Sequence, residues 1–352
     1  MKVVSLFSGC GGLDLGFAEA GFQVDWANEN DKSIWETYEF NHTQTKLDRR
    51  DIRNIKSLEV PECIGIIGGP PCQSWSEAGA GRGINDSRGQ LFHEYIRVVQ
   101  DKRPLFFVAE NVSGILAEKH SRAFSNILYM FKDCGYEVAY KLLNAKYFNV
   151  PQDRQRVIIV GYREDLGGTF EFPKENPKVP TLRDTIYDLS FLEPVATTQL
   201  RSDFTSAPNH EYLDMSFSSI YMSRNRVRGW GEPSFTIQAG GRHAPIHPQA
   251  NKMIFIEKDK RIFDPNSPKP YRRLSVRECA RIQTFPDSFI FKYSNISTGY
   301  KMIGNAVPIS FSRALASKIL IDIQEYQNIG YCNHLRQVRT PTQLTLLSIA
   351  SV

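Results

Sequence analysis

The 352-residue chain contains no run of 18 apolar residues, so nothing in it reads as a membrane span. It also lacks any Cys-x-x-Cys pair. Cys10, Cys63, Cys72, Cys134, Cys279 and Cys332 are scattered, which argues against zinc ligation and a disulfide framework and predicts a reducing cytosol with no bound metal. Residues 1–8 carry no signal-peptide cleavage pattern, and a cytoplasmic location is expected. The first glycine-rich turn is not G-x-G-x-x-G and no P-loop Lys-Ser/Thr pair follows it, so it suits a nucleoside or amino-acid moiety better than a pyrophosphate. Excess charge is scarce too, at a net +5, but it is unevenly placed: residues 221–281 hold 13 Lys/Arg against 5 Asp/Glu. Such a segment is either an ordinary solvated face or the footprint of a polyanion site, and its preponderance of arginine favours recognition of phosphates and guanine edges.

What is present begins as alternating strands and helices. Residues 2–7 form a buried-strand pattern, Phe7-Ser8-Gly9-Cys10-Gly11-Gly12 a glycine turn, and residues 13–20 a helix pattern. A second strand over 22–27 ends in Asn28-Glu29-Asn30-Asp31, where an acidic side chain either binds ribose hydroxyls or caps a helix, a task Asp31 fills better. Asp51-Ile52 closes a third unit. The run Ile64 to Ile67 then ends in Gly68-Gly69-Pro70-Pro71-Cys72, with the thiol either mounted as a nucleophile or a small buried apolar group. Residues 74–89 form a long polar, glycine-rich loop whose Arg82 and Arg88 suit a lid over something anionic. A helix over 90–100 turns Leu91, Tyr95 and Val98 or Val99 inward, and a strand over 105–109 stops at Glu110-Asn111-Val112. Cys72 and Glu110 thus share one end of successive parallel strands, as nucleophile and general acid or as a thiol beside a solvated carboxylate. A helix over 122–133 and strands over 137–143 and 157–161 follow. Between the last two, Arg154 and Arg156 share one face if extended, clamping an anion or pairing with Asp153.

Composition shifts at Gly167, where a domain boundary is expected. Beyond it, Arg224-Asn225-Arg226-Val227-Arg228 and Gln238-Ala239-Gly240-Gly241-Arg242 combine the side chains that read guanine and adenine edges. A helix opens after Arg273 and ends before Phe285-Pro286, a second is expected over 310–327, and residues 328–352 carry no assignable pattern.

Taken in order, Phe7 to Gly12, Glu29, Asp51, Gly69-Pro70-Pro71-Cys72, Glu110-Asn111-Val112, Gln152 to Arg156, Arg273 to Pro286 and Gly304-Asn305-Ala306-Val307 resemble the motif series of the DNA (cytosine-5) methyltransferases. The resemblance implies an α/β fold: a doubly wound, mostly parallel, Rossmann-like sheet with a second, smaller DNA-recognition domain. It implies a catalytic domain over 1–166, a recognition domain over 167–275, a returning segment over 276–327 and a tail. It implies S-adenosylmethionine as cofactor, with Phe7, Gly9, Cys10, Gly11, Gly12, Glu29, Asn30, Asp51, Ile52, Gly69, Leu91, Asn305 and Val307 around it. Cys10 is expected to contact through its backbone. Cys72, Glu110, Arg154 and Arg156 would be catalytic, with Arg156 on the cytosine O2 and Arg154 supporting it. The variable stretch, with Gln73-Ser74-Trp75-Ser76-Glu77, resembles the branch that modifies GGCC. That likeness implies duplex-DNA contacts from Ser76, Arg82, Arg88, Arg224, Asn225, Arg226, Arg228, Gln238 and Arg242. It also implies a monomer that protects DNA from a companion restriction endonuclease. Rival readings are an RNA cytosine methyltransferase of the same fold, a nicotinamide dehydrogenase and a DNA-binding module with a dead site.

Overall fold

The computed structural model of the protein describes residues 1–71, 89–197 and 207–338. Seven strands form the central sheet. They are β1 (Lys2–Leu6), β2 (Gln23–Asn28), β3 (Lys46–Asp48), β4 (Gly65–Gly68), β5 (Phe106–Val112), β6 (Tyr136–Asn144) and, after the two-residue β7 (Gln152–Asp153), β8 (Gln155–Arg163). Their order is β3-β2-β1-β4-β5-β8-β6. All pairings are parallel except those of β8, which runs antiparallel to both β5 and β6. The inner strands are apolar without alternation because both faces are covered. On one face Val3, Ile67, Val108 and Val160 pack with Phe17 of α1 (Gly12–Ala20) and with a C-terminal helix. On the other, Val4, Ile66 and Phe107 pack with α3 (Gly89–Lys102) and α4 (Ser121–Asp133), whereas the short α2 (Trp35–Asn41) lies between β2 and β3 in the chain.

Strand order turns around between β1 and β4, and an open α/β sheet binds ligands at the carboxyl ends of the strands that flank such a point. The expected fold class is what the chain adopts. Several local expectations shift. β8 starts at Gln155, so Arg156 already lies in the strand, opposite Val112. Beyond Gly167, Phe170 and Phe172 pack in the cluster that covers this sheet.

After the short helix α5 (Leu182–Ile186) the described residues up to 275 contribute small strands: β9 (Val195–Thr197), β10 (Glu211–Leu213), β11 (Ser234–Phe235), β12 (Ile254–Glu257) and β13 (Lys260–Ile262). A compact cluster of Tyr221, Val227, Ile246, Ala250 and Met253 gives this stretch a core. α6 (Val276–Ile282) opens with a capping box, Ser275 accepting from the Glu278 N–H and Glu278 from the Ser275 N–H. α6 and α7 (Ile296–Asn305) share a second core with Leu182, Leu213 and Ile237. α8 (Ile309–Val338) returns to the sheet, where the Ser312 hydroxyl donates to the Leu13 carbonyl at 2.7 Å. It runs past residue 327, where the apolar pattern predicted its end.

Candidate active site

A crevice of about 540 Å³ opens where β1, β2, β4 and β5 end. After β1 the chain turns sharply, and Phe7 is held at φ 54°, a left-handed conformation that an aromatic residue adopts only under constraint from its surroundings. Phe7, Ser8, Gly9, Cys10 and Gly12 line the crevice, whereas Gly11 faces His42. Glu29 staples the first two strand ends together: its carboxylate accepts from the Gly9 N–H at 2.9 Å and the Asp31 N–H at 2.8 Å. Burial raises its pKa, and those two donors oppose the shift. Beneath lies Asp14, fully buried, accepting from the Ser5 and Tyr38 hydroxyls at 2.6 Å each. Asp31 makes its own turn with Ser33 and pairs with Lys301 at 2.5 Å, so the C-terminal segment is tied to the end of β2.

Met302, Gly304, Asn305, Ala306 and Val307 complete one wall. Cys10 turns its sulfur away toward the Met302 carbonyl, 3.6 Å distant, and burial pushes its thiol up to about 12. Ile52, Asn30, Gly69 and Leu91 also line the crevice. Asp51 is not among the lining residues: its carboxylate caps the turn Ile52–Asn54 and pairs with Arg53 at 2.6 Å.

At the other end of the crevice stand Pro70, Pro71, Glu110, Asn111 and Arg156. Arg156 Nε lies 2.7 Å from Glu110 Oε1, with both side chains about nine-tenths buried (12% and 10% exposed). The Asn111 side chain donates to the Pro70 carbonyl at 3.0 Å and fixes the Pro-Pro turn against β5. Cys72, the next residue after Pro71, lies outside the described residues, as do Ser76, Arg82 and Arg88. Arg154 does not join Arg156. It precedes β8, is 0% exposed, and spends its guanidinium on the carbonyls of Ile237, Gly304 and Ala306. The shared face expected for the two arginines fails because Arg154 sits between β7 and β8, outside the regular alternation.

Residues 1–320 match the family model of C-5 cytosine-specific DNA methylases. The chain belongs to that family. This methylase is 56% identical to the Type II methyltransferase M.MthTI of Methanothermobacter thermautotrophicus over 93% of its length and 99% of the relative's. It is 52% identical to M.FnuDI of Fusobacterium nucleatum, covering 94% of this chain and 97% of that one. Among solved structures it resembles the S. pombe Dnmt2 methyltransferase, with a TM-score of 0.63 at 20% identity, covering 92% of this chain and 99% of that one. The methylase is therefore a DNA cytosine-5 methyltransferase built on the Rossmann-like methyltransferase fold.

A second recess of the methylase, about 230 Å³, is lined by Arg224, Asn225, Arg226, Phe235, Gln238 and His243, with Thr236 and Pro245 behind. Arg224, Gln238 and the neighbouring Arg242 are exposed. The Asn225 oxygen accepts from the Met253 N–H at 3.0 Å and its amide donates to the Val227 carbonyl at 2.7 Å, which ties the side chain to its own segment. Arg226 stacks over Tyr221, 4.7 Å from the ring centre, and donates to the Tyr221 carbonyl, which leaves part of its fork open. Arg228 points elsewhere: it lies over Phe235 and pairs with Glu232 at 3.1 Å. Thr236 and His243 went unnoticed in the sequence, although His243 directly follows Arg242. Nor is the basic excess all surface. Arg272 pairs with buried Glu278 at 2.8 Å, and Arg273 and Arg277 are buried against backbone carbonyls.

Proposed function

We propose that this methylase uses S-adenosylmethionine to methylate C5 of a cytosine flipped out of duplex DNA, within GGCC, with Cys72 as covalent nucleophile. The reading is carried by the Glu110–Arg156 pair, set in the crevice beside the two prolines that lead to Cys72. Cytosine C5 is a poor nucleophile. Addition of the Cys72 thiolate to C6, with Glu110 protonating N3 and Arg156 donating to O2, makes C5 electron-rich. After methylation the C5 proton leaves and Cys72 is eliminated. A stacked base hides C6, so the cytosine must leave the helix to react.

The crevice fits the cofactor. Its volume is in the usual range for small-ligand sites, about 300–1,000 Å³. Ser8 Oγ is buried in it without a partner among the described residues, and a Cβ on Gly9 would meet nothing within 4 Å. Glu29 would hold the ribose hydroxyls, Phe7 and Ile52 the flat adenine, and Asn305 with Val307 the open side. S-adenosylmethionine supplies the electrophilic methyl group. Arg224 and Arg242, exposed at and beside the recess, have the fork that matches guanine O6 and N7. The Type II names of the relatives support a protective role beside a restriction endonuclease.

Plasmid DNA from cells expressing the protein should resist a GGCC-cutting endonuclease, and a duplex carrying 5-fluorocytosine in GGCC should become covalently linked to the wild type and not to Cys72→Ser. Methylation of transfer RNA with duplex DNA untouched would overturn the reading.

A further inference from the structure

Between crevice and recess lies a buried joint that neither site contains. Arg154 donates to the Ile237 carbonyl at 3.1 Å and to those of Gly304 and Ala306 at 2.8 and 3.0 Å. Gln152, also fully buried, accepts from the Ile237 N–H at 2.9 Å and donates to Gln283 at 2.9 Å. Gln283 in turn donates to the carbonyls of Ile303 at 2.8 Å and Ala306 at 3.2 Å. Ile237 sits between Thr236 and Gln238, both in the recess, whereas Gly304 and Ala306 line the crevice. The two backbones also touch: a Cβ on Gly304 would come 2.3 Å from the Gln238 carbonyl carbon.

A guanidinium is a costly way to join two segments. Among the described residues Arg154 makes no ion pair and its Nε lacks a partner, and burial drives its pKa well down. An apolar plug would hold the segments together with less desolvation. What the guanidinium adds is a rigid planar fork that fixes three carbonyls at once, which a lysine cannot do. The feature therefore specifies geometry more than it supplies stability.

We propose that Arg154, with Gln152 and Gln283 bonded to the same segments, is a positioning joint that sets the recognition segment 236–238 in register with the turn 303–306, so that target duplex and cofactor favour one and the same arrangement. The proposal rests on the assignment of recess to DNA and crevice to S-adenosylmethionine. If the joint couples the sites, each ligand tightens the other by the same factor.

That factor is the ratio of duplex Kd without and with saturating S-adenosylhomocysteine, read by fluorescence anisotropy. In the wild type it should be about 5- to 150-fold, the usual span of such coupling. In Arg154→Lys and in Gln283→Leu, each checked for cooperative thermal unfolding, it should fall to near one. Ile319→Val, in the α8 core away from the joint, should lower the melting temperature and leave the factor intact. Full coupling in either folded joint variant overturns the proposal, and so does a wild type that binds both ligands without coupling. A wild type that binds neither ligand defeats the site assignment itself.

Discussion

Under the proposed mechanism, the carboxyl that hands a proton to the ring nitrogen needs one side held and one side open. Glu110 has both, with Arg156 against Oε1 and the crevice beyond. Glu110→Gln keeps the size but has no proton to give. Single-turnover methylation by that variant should slow by about 10²- to 10⁴-fold, the range of a lost general acid, while duplex affinity stays near that of the wild type. A rate within a few-fold of wild type would remove Glu110 from proton transfer. At this scale the sequence was legible where a residue ends a strand. Phe7, Glu29 and Glu110, at or just past the ends of β1, β2 and β5, all line the crevice. It was illegible where a side chain binds backbone far along the chain. Asn225 is tied to the Met253 N–H and Arg154 to Gly304, and neither partner leaves a trace in local spacing.

Among the elements, α6 carries the densest buried charge. Glu278 is fully buried, pairs with Arg272 at 2.8 Å, and lies 3.4 Å from His247 Nε2; the pairing holds its carboxyl down at about 2 despite the burial. Burial also drives His247 from 6.5 down to about 4, with Arg272 and His210 adding to the shift and Glu278 opposing it. A depressed histidine is neutral in the fold and readily protonated once unfolded. Its contribution is therefore intact above about pH 6.5 and lost as pH falls toward 4, on the order of 3 kcal/mol in all. Melting temperature should drop over that interval, and His247→Asn, which keeps an acceptor for the Gln249 N–H, should flatten the drop. Equal slopes in the two proteins would exclude His247 as the cause. The same cluster explains why a simple charge count overstated the basic face: these arginines are internal struts, and counting cannot tell a strut from a surface group.

For the molecule as a whole, the sheet and its order of motifs were readable because strand ends and glycine turns recur with the chain's alternation of strand and helix. The segment around residues 221–253 was not, since its core of Tyr221, Val227 and Ile246 is built from bridges and turns without a period. The crevice joins the first turn of the chain to residues 302–307, so a ligand seated there bridges both ends. S-adenosylhomocysteine at a hundred times its Kd should stabilise the fold by about 2.7 kcal/mol, seen as a rise in melting temperature that grows with ligand concentration. No rise at saturation would mean that the crevice is not its site.

That closure from both ends also sets a clock for the nascent chain. The Cys10 sulfur waits for the Met302 carbonyl, 292 residues later. At about 5–20 residues per second, a ribosome takes roughly 15–60 s to travel that distance. Until it does, the emerging half of the enzyme has a floor and no wall, and a half-made molecule cannot mark the genome of the cell that is making it.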